Sequence, residues 1–375
     1  MPRQTMWKKW GMSQVGVVRH PFGIWTPLME AALSSGSETN YRRGVTLFVE
    51  WARDEYEEEL ESFEDLDEAL AEYAWHVFES KGGSARWRLE NAIYGIEWLL
   101  PGCKGRLRCA RLSNTGWRKL KPPTSHSPMT WPICVAIALE MKRVGHVGAA
   151  IGTLLAFDGY LRVNELAALR SGDIVVLGDL VGEMGPRAGR RDLLVSLVHC
   201  KTGDNQSVVI HDEVIAKLIW RWVRYVDQET GWRRHRRRRY RVKGPIVTED
   251  YGCVGPWDGA DVGELGRGPK LFPTSAQYRR IFYTACRDLG LTTPPLYFVP
   301  HSLRHGGATR DYLKGGGAAL PGILHRGRWR QMDSARYYIQ AGPALSAAAA
   351  RAVDPARMNL WRAQALDVSA WFDDF

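Results

Sequence analysis

Five short stretches between residues 159 and 338 carry side chains able to work on a phosphodiester. They are Gly159-Tyr160-Leu161-Arg162-Val163-Asn164-Glu165, the turn at Lys201, Pro300-His301-Ser302-Leu303-Arg304-His305, Gly327-Arg328-Trp329 and Tyr337-Tyr338. A phosphodiester resists attack because its anion repels nucleophiles and its alkoxide leaves poorly. Without a metal, a protein must offset the charge that develops on the phosphate and protonate the leaving oxygen. Guanidinium suits the first task, since its planar fork holds two oxygens and never loses its proton. Arg162 and Arg304 are the candidates. Arg162 lies between Leu161 and Val163, with Glu165 three residues on to orient it across a helical turn.

The remaining residues each carry a plain alternative. His301 and Arg304 share one helical face by their spacing. Alone they read as a helix-end histidine beside a surface arginine; with the other stretches, His301 reads as a phosphate contact with an acid–base role. His305 points elsewhere by spacing and reads as structural. Lys201 ends a strand and enters a turn, where an ammonium is ordinarily just solvated; a mobile tip would also let it protonate a leaving 5′ oxygen. Trp329 reads as core packing or as a hydrogen-bond donor, the one polar role its indole has. His325 is a poorer choice for that position. Tyr338 in isolation reads as a packed aromatic.

The order and spacing of these residues resemble the catalytic set of the tyrosine recombinases, the phage-integrase family. That set is an arginine, a hairpin lysine, His-x-x-Arg, then His or Trp, with a tyrosine nine residues later. Trp329 to Tyr338 is that nine-residue step. The resemblance implies Arg162, His301, Arg304 and Trp329 on the scissile phosphate, Lys201 as general acid and Tyr338 as nucleophile. The intermediate would be a 3′-phosphotyrosine, which stores the bond energy for religation. It implies no metal and no other cofactor. It also implies site-specific DNA recombination or integration by a tetramer on two DNA sites, passing through a Holliday junction, as mobile elements use for transposition. The stretches His301–Thr309 and Gly327–Gln340 look most like recombinases of eukaryotic DIRS-type mobile elements. Two rival readings are a type IB topoisomerase, which shares the chemistry, and a domesticated DNA-binding protein that no longer cuts.

The elements that must position these residues are mostly helical. The chain has 375 residues, enough for two domains, and 45% hydrophobic content, enough for real cores. Tyr41, Val45 and Phe48, then Leu66, Leu70, Tyr73 and Val77, then Leu89, Ile93, Ile96 and Leu100 recur at helical spacing. Ser35-x-x-Glu38 reads as a capping box, and Pro101-Gly102 as a stop. Lys119–Pro128 reads as a stiff, wet linker, after which Thr130 caps a new helix with Pro132 in its first turn. Residues 193–198 and 207–210 are strand-like, with Gly203-Asp204-Asn205 as the hairpin turn between them. Helices return over Val214–Tyr225, Tyr278–Leu289 and His301–Leu313.

The predicted fold is therefore mainly α with a small β-hairpin or sheet (α+β). The expected organisation is a tail (1–20), a helical core-binding, SAM-like domain (21–118), a linker (119–128), a catalytic domain (129–345) and a C-terminal segment (346–375). By the resemblance, the two domains would close as a C-shaped clamp on duplex DNA, and the C-terminal segment would dock on a neighbouring protomer. Its aromatics would equally serve to pack on their own domain.

The net charge of +10 and pI near 9.4 fit a polyanionic partner, though equally a merely basic soluble protein. An acidic run over residues 50–72 should face solvent or another protein. An Arg-rich insertion over 231–273 departs from the family pattern. Its Arg233, Arg234, Arg236, Arg237, Arg238 and Arg239 read equally as DNA contacts, a nuclear-import signal or a solvated loop. None of the six cysteines has C-x-x-C spacing, which argues against a zinc site. The start lacks an apolar leader, and the longest apolar stretch, Val147–Phe157, is too short to span a bilayer. An intracellular protein without a membrane partner is expected, nuclear in a eukaryote and otherwise cytoplasmic or nucleoid-associated.

Overall fold

Helices built on apolar stripes dominate the computed structural model. It describes residues 18–20, 23–25, 28, 32–55, 60, 62–122, 127–176, 192–200, 203–210, 212–232, 267–294, 296–332, 335–336 and 342–373. Lys201, Arg233–Arg239, Tyr337 and Tyr338 lie outside the described residues. The chain divides into two compact units, Met1–Ser125 and His126–Phe375.

The first unit opens with a short hairpin, β1 (Val18–His20) paired antiparallel with β2 (Gly23–Trp25). Helices α1 (Ser35–Glu55), α2 (Phe63–Lys81), α3 (Arg86–Leu99) and α4 (Arg108–Leu120) follow. The predicted stripes face inward: Val45, Phe48, Leu66, Leu70, Tyr73, Val77, Leu89, Ile93 and Ile96 form one core. The capping box expected at Ser35–Glu38 is replaced by a cap one residue earlier. The Ser34 hydroxyl accepts from the Ser37 amide at 3.3 Å, and Glu38 turns instead to Arg42 at 2.7 Å. Ser62 and Asp65 make a true capping box on α2. Asp67, inside the acidic run, is buried rather than solvent-facing. Its two oxygens accept from the Cys109 and Ala110 amides at 2.8 and 2.9 Å, closing the start of α4.

The second unit begins with α5 (Trp131–Arg143), α6 (Val147–Asp158) and α7 (Val163–Ala168). Thr130 holds the N-cap position of α5 with Pro132 in the first turn, but its hydroxyl makes no capping bond. A three-stranded antiparallel sheet follows, with β4 (Leu193–Cys200) between β3 (Ile174–Val176) and β5 (Gly203–Ile210). The turn predicted at Gly203–Asn205 is strand instead: Cys200 pairs with Gly203 and His199 with Asp204.

Helices α8 (Glu213–Glu229), α9 (Ser275–Asp288), α10 (His301–Gly315), α11 (Leu320–Gly327), α12 (Gly342–Ala352) and α13 (Pro355–Leu366) complete the unit. Its core runs from Met129 to Phe372. At the far end of the 231–273 insertion the chain is tied down. Lys270 pairs with Arg170, Leu271 donates to the Leu169 carbonyl, and Arg267 meets the Asp173 carboxylate at 2.5 Å. The C-terminal segment packs on this unit itself. Helix α13 lies against α5, and Trp361 and Phe372 are buried in the common core, while Leu360, Leu366 and Trp371 stay exposed. Among the described residues, no helix is long and apolar enough to cross a membrane.

Candidate active site

The turn between α6 and α7 forms the centre of the candidate site. Tyr160 sits there at φ 49°, and Arg328, at the end of α11, at φ 54°. Among the described residues these are the two non-glycine positions with positive φ. Each such conformation costs about 1–2 kcal/mol for a residue with a Cβ, and strain of this kind gathers where a side chain or carbonyl must be aimed. Both aims meet. The Tyr160 carbonyl accepts from Arg304 Nη1 at 2.6 Å and from Arg328 Nη2 at 3.3 Å.

Glu165 completes the centre. It is buried on the first turn of α7. One carboxylate oxygen accepts from Arg162 Nη1 at 2.6 Å. The other accepts from Arg328 Nη2 at 2.6 Å and from the Arg162 amide at 2.8 Å. Three guanidinium groups from three distant stretches therefore converge on one carbonyl and one carboxylate. Their guanidinium–carboxylate bonds are charge-assisted and short. Arg328 has the left-handed helix-end position that glycine usually fills. Its side chain supplies the reason for the exception.

Arg162 keeps a quarter of its side chain exposed, at 24%, and is the arginine of the three most open to an incoming anion. Arg304 is only 1% exposed. Its second nitrogen, Nη2, donates to the Gly327 carbonyl, and its guanidinium lies 4.6 Å from the centre of the Trp329 ring. The phosphate fork expected of Arg304 is thus turned largely onto backbone and indole. Trp329 also packs on Tyr160 with ring centres 6.2 Å apart. The ring folds over Gly327 so tightly that a Cβ there would come within 2.0 Å of it.

His301 is exposed on the first turn of α10. Its ring meets His305 edge-on, with centres 4.5 Å apart, so His305 lies beneath it rather than pointing elsewhere. Helix α10 reaches this position because Gly306 and Gly307 remove two side chains. A Cβ on either would come 2.0 Å from a backbone oxygen, that of Met129 or of Phe157. A cavity of about 370 Å³ opens beside Trp329, lined by Gln206, Ser207, Leu324, His325, Arg328 and Arg330.

Sequence reasoning missed Arg328 and the carbonyl of Tyr160, although both lie inside the quoted stretches. The available signal was weak: a bulky Tyr directly after Gly159, and an Arg directly after Gly327. Neither pattern announces a left-handed residue. The structure brings together Arg162, Glu165, Arg304 and Trp329.

No protein-family model matches the chain, and no curated protein does. Solved structures do match. The Tn1549 transposon integrase (aa 82–397), solved in complex with circular intermediate DNA, shares 12% identity; the match covers 87% of this chain and 98% of that one, with a TM-score of 0.52. A lambda integrase dimer bound to a COC′ core site shares 13% identity over 83% of this chain and 73% of that one, with a TM-score of 0.43. The chain has the tyrosine-recombinase fold.

Proposed function

We propose that this chain, starting from that fold, is a site-specific DNA recombinase or integrase that cleaves and rejoins duplex DNA through a 3′-phosphotyrosine. The observation that carries the reading is the convergence of Arg162, Arg304 and Arg328 on the Tyr160 carbonyl and Glu165, beside the Trp329 ring. A phosphate held at the open side would meet Arg162 and His301 directly. The charges of Arg304 and Arg328 would act from behind, through low-dielectric surroundings that weaken them little. Trp329 would donate from its indole. Lys201, on the turn between β4 and β5, would protonate the leaving 5′ oxygen, and Tyr338 would attack. Duplex DNA held by both units in a clamp, a tetramer on two sites and a mobile-element role complete the proposal.

The test is trapping on DNA that loses its cut end, mapped to the DNA flanking the source gene. The wild-type chain should form a covalent adduct. Tyr338→Phe should bind the same DNA within about twofold and form none, because only the nucleophile is gone. The nine-residue step from Trp329 selects Tyr338, so Tyr337→Phe should keep activity. Phosphate found on Tyr337 by peptide mapping would shift the assignment. No adduct on any DNA would leave the non-cleaving reading. Relaxation of supercoils by single protomers, without paired sites, would favour the topoisomerase.

A further inference from the structure

We infer that Tyr160 is a positioning residue for the arginine cluster, latched from its far end by Asp311 and Arg326; its catalytic consequence rests on the recombinase reading. Tyr160 has two working ends. Its carbonyl receives Arg304 and Arg328. Its phenol, on the opposite side, donates to Asp311 Oδ2 at 2.5 Å. The same carboxylate oxygen accepts from Arg326 Nη1 at 2.9 Å, and the Arg326 guanidinium lies 5.6 Å from the centre of the Tyr160 ring.

The latch is tied to the right elements. Asp311 stands on α10, two turns beyond Arg304, and Arg326 stands on α11, two residues before Arg328. One phenol therefore fixes the turn before α7 to both helices that deliver the buried arginines. Gly307 makes room for the ring: a Cβ there would come 2.8 Å from it. Tyr160 is fully buried, and burial raises its pKa, so the phenol stays a proton donor across ordinary pH.

A tyrosine at φ 49° is not held there by its own preference. Something must hold it, and the Asp311–Arg326 pair grips the one polar atom at the end of its ring. Without the grip the turn can relax toward negative φ, which swings the carbonyl away from Arg304 and Arg328. Asp311 and Arg326 also line a cavity of about 690 Å³ together with Asp158, Arg310 and Lys314, so the latch borders solvent while the carbonyl does not. The device predicts altered chemistry with unaltered DNA affinity, because Tyr160 is fully buried and acts through the arginines it positions.

The test uses the full-length chain with Tyr160→Phe, which keeps the ring, and Asp311→Asn, which keeps an acceptor but loses the ion pair with Arg326. The first measurement is amide hydrogen exchange by mass spectrometry, which needs no activity. Losing one buried hydrogen bond should speed local opening about tenfold in peptides covering 159–166 and 324–330, with α5 and α6 unchanged. Asp311→Asn should give a smaller change in the same peptides. Unchanged exchange there, or an increase spread over the whole unit, overturns the latch. The second measurement is single-turnover adduct formation. Tyr160→Phe should slow it about tenfold with the DNA Kd within about twofold. An unchanged rate, or equal losses of rate and affinity, also overturns it. A wild-type chain that forms no adduct defeats the recombinase reading instead, and the exchange result alone then decides the latch.

Discussion

Arginine fixes charge but transfers no proton, so the cluster of Arg162, Arg304 and Arg328 leaves the leaving oxygen to another residue. His301 is at hand but exposed and edge-on to His305. Lys201 follows Cys200, the last residue of β4, in the sequence. As general acid it should be separable chemically from the arginines. Lys201→Ala should cut normal DNA slowly, by about a hundredfold or more, the usual range for one positioned acid. A substrate with sulfur at the bridging 5′ position leaves without a proton and should restore cleavage. Failure of the sulfur substrate to rescue would move the role to another residue, His301 first. The contact legible in advance was the one carried by type and spacing, Arg162 with Glu165 at three residues. Arg328 was not legible, because its role depends on a left-handed backbone that brings it back to Glu165 across the fold. The burial of Arg304 was equally hidden, since its covers, the Gly327 carbonyl and the Trp329 ring, come from another helix end.

Elements were legible where one face is apolar. The stripes of α1, α2 and α3 and the runs of β4 and β5 read directly from period. Ends were less so: the cap at Ser34 displaced the one read at Ser35, because Glu38 pairs with Arg42 instead, and strand pairing absorbed Gly203–Asn205. The contact of α10 on α6 rests on glycine and has a clear signature. Gly307→Ala places a methyl 2.0 Å from the Phe157 carbonyl oxygen, which cannot yield as a side chain end can. Overpacking of this kind costs about 1–3 kcal/mol or more, a drop in Tm of several degrees. Gly322, on α11, has nothing within 4 Å of its would-be Cβ. Gly322→Ala should stabilise by about 0.4–1 kcal/mol through the unfolded chain. Thermal unfolding of the two variants checks both signs, and a neutral Gly307→Ala would mean that α10 is not pressed on α6.

At the scale of the molecule, the C-terminal segment and the overall charge make separate claims. Val353, Met358, Trp361, Val368 and Phe372 are buried in the core of the second unit. Burying each such side chain contributes about 1.5–3 kcal/mol, and together they rival the whole stability of a domain. Ending the chain after Ala352 should therefore unfold or strongly destabilise that unit. A truncated chain that melts like the full one, yet fails to pair DNA sites, would place the segment on a neighbour instead. The charge speaks to the partner. In the first unit Arg43 and Arg88 lie over the Trp87 ring, which holds their guanidinium groups in place at little further cost in entropy, whereas Arg42 and Arg111, over Trp98 and Tyr94, are already paired with Glu38 and Glu97. With the net charge of +10, this favours binding dominated by phosphates. Each neutralised phosphate releases counterions, so log K should fall linearly with log salt, by about 0.9 per phosphate. A clamp touching six or more phosphates would give a slope near −5 or steeper, measured by titrating duplex DNA between low and physiological salt. A shallow slope would mean that few phosphates are touched, and the two units would then not both lie along the duplex.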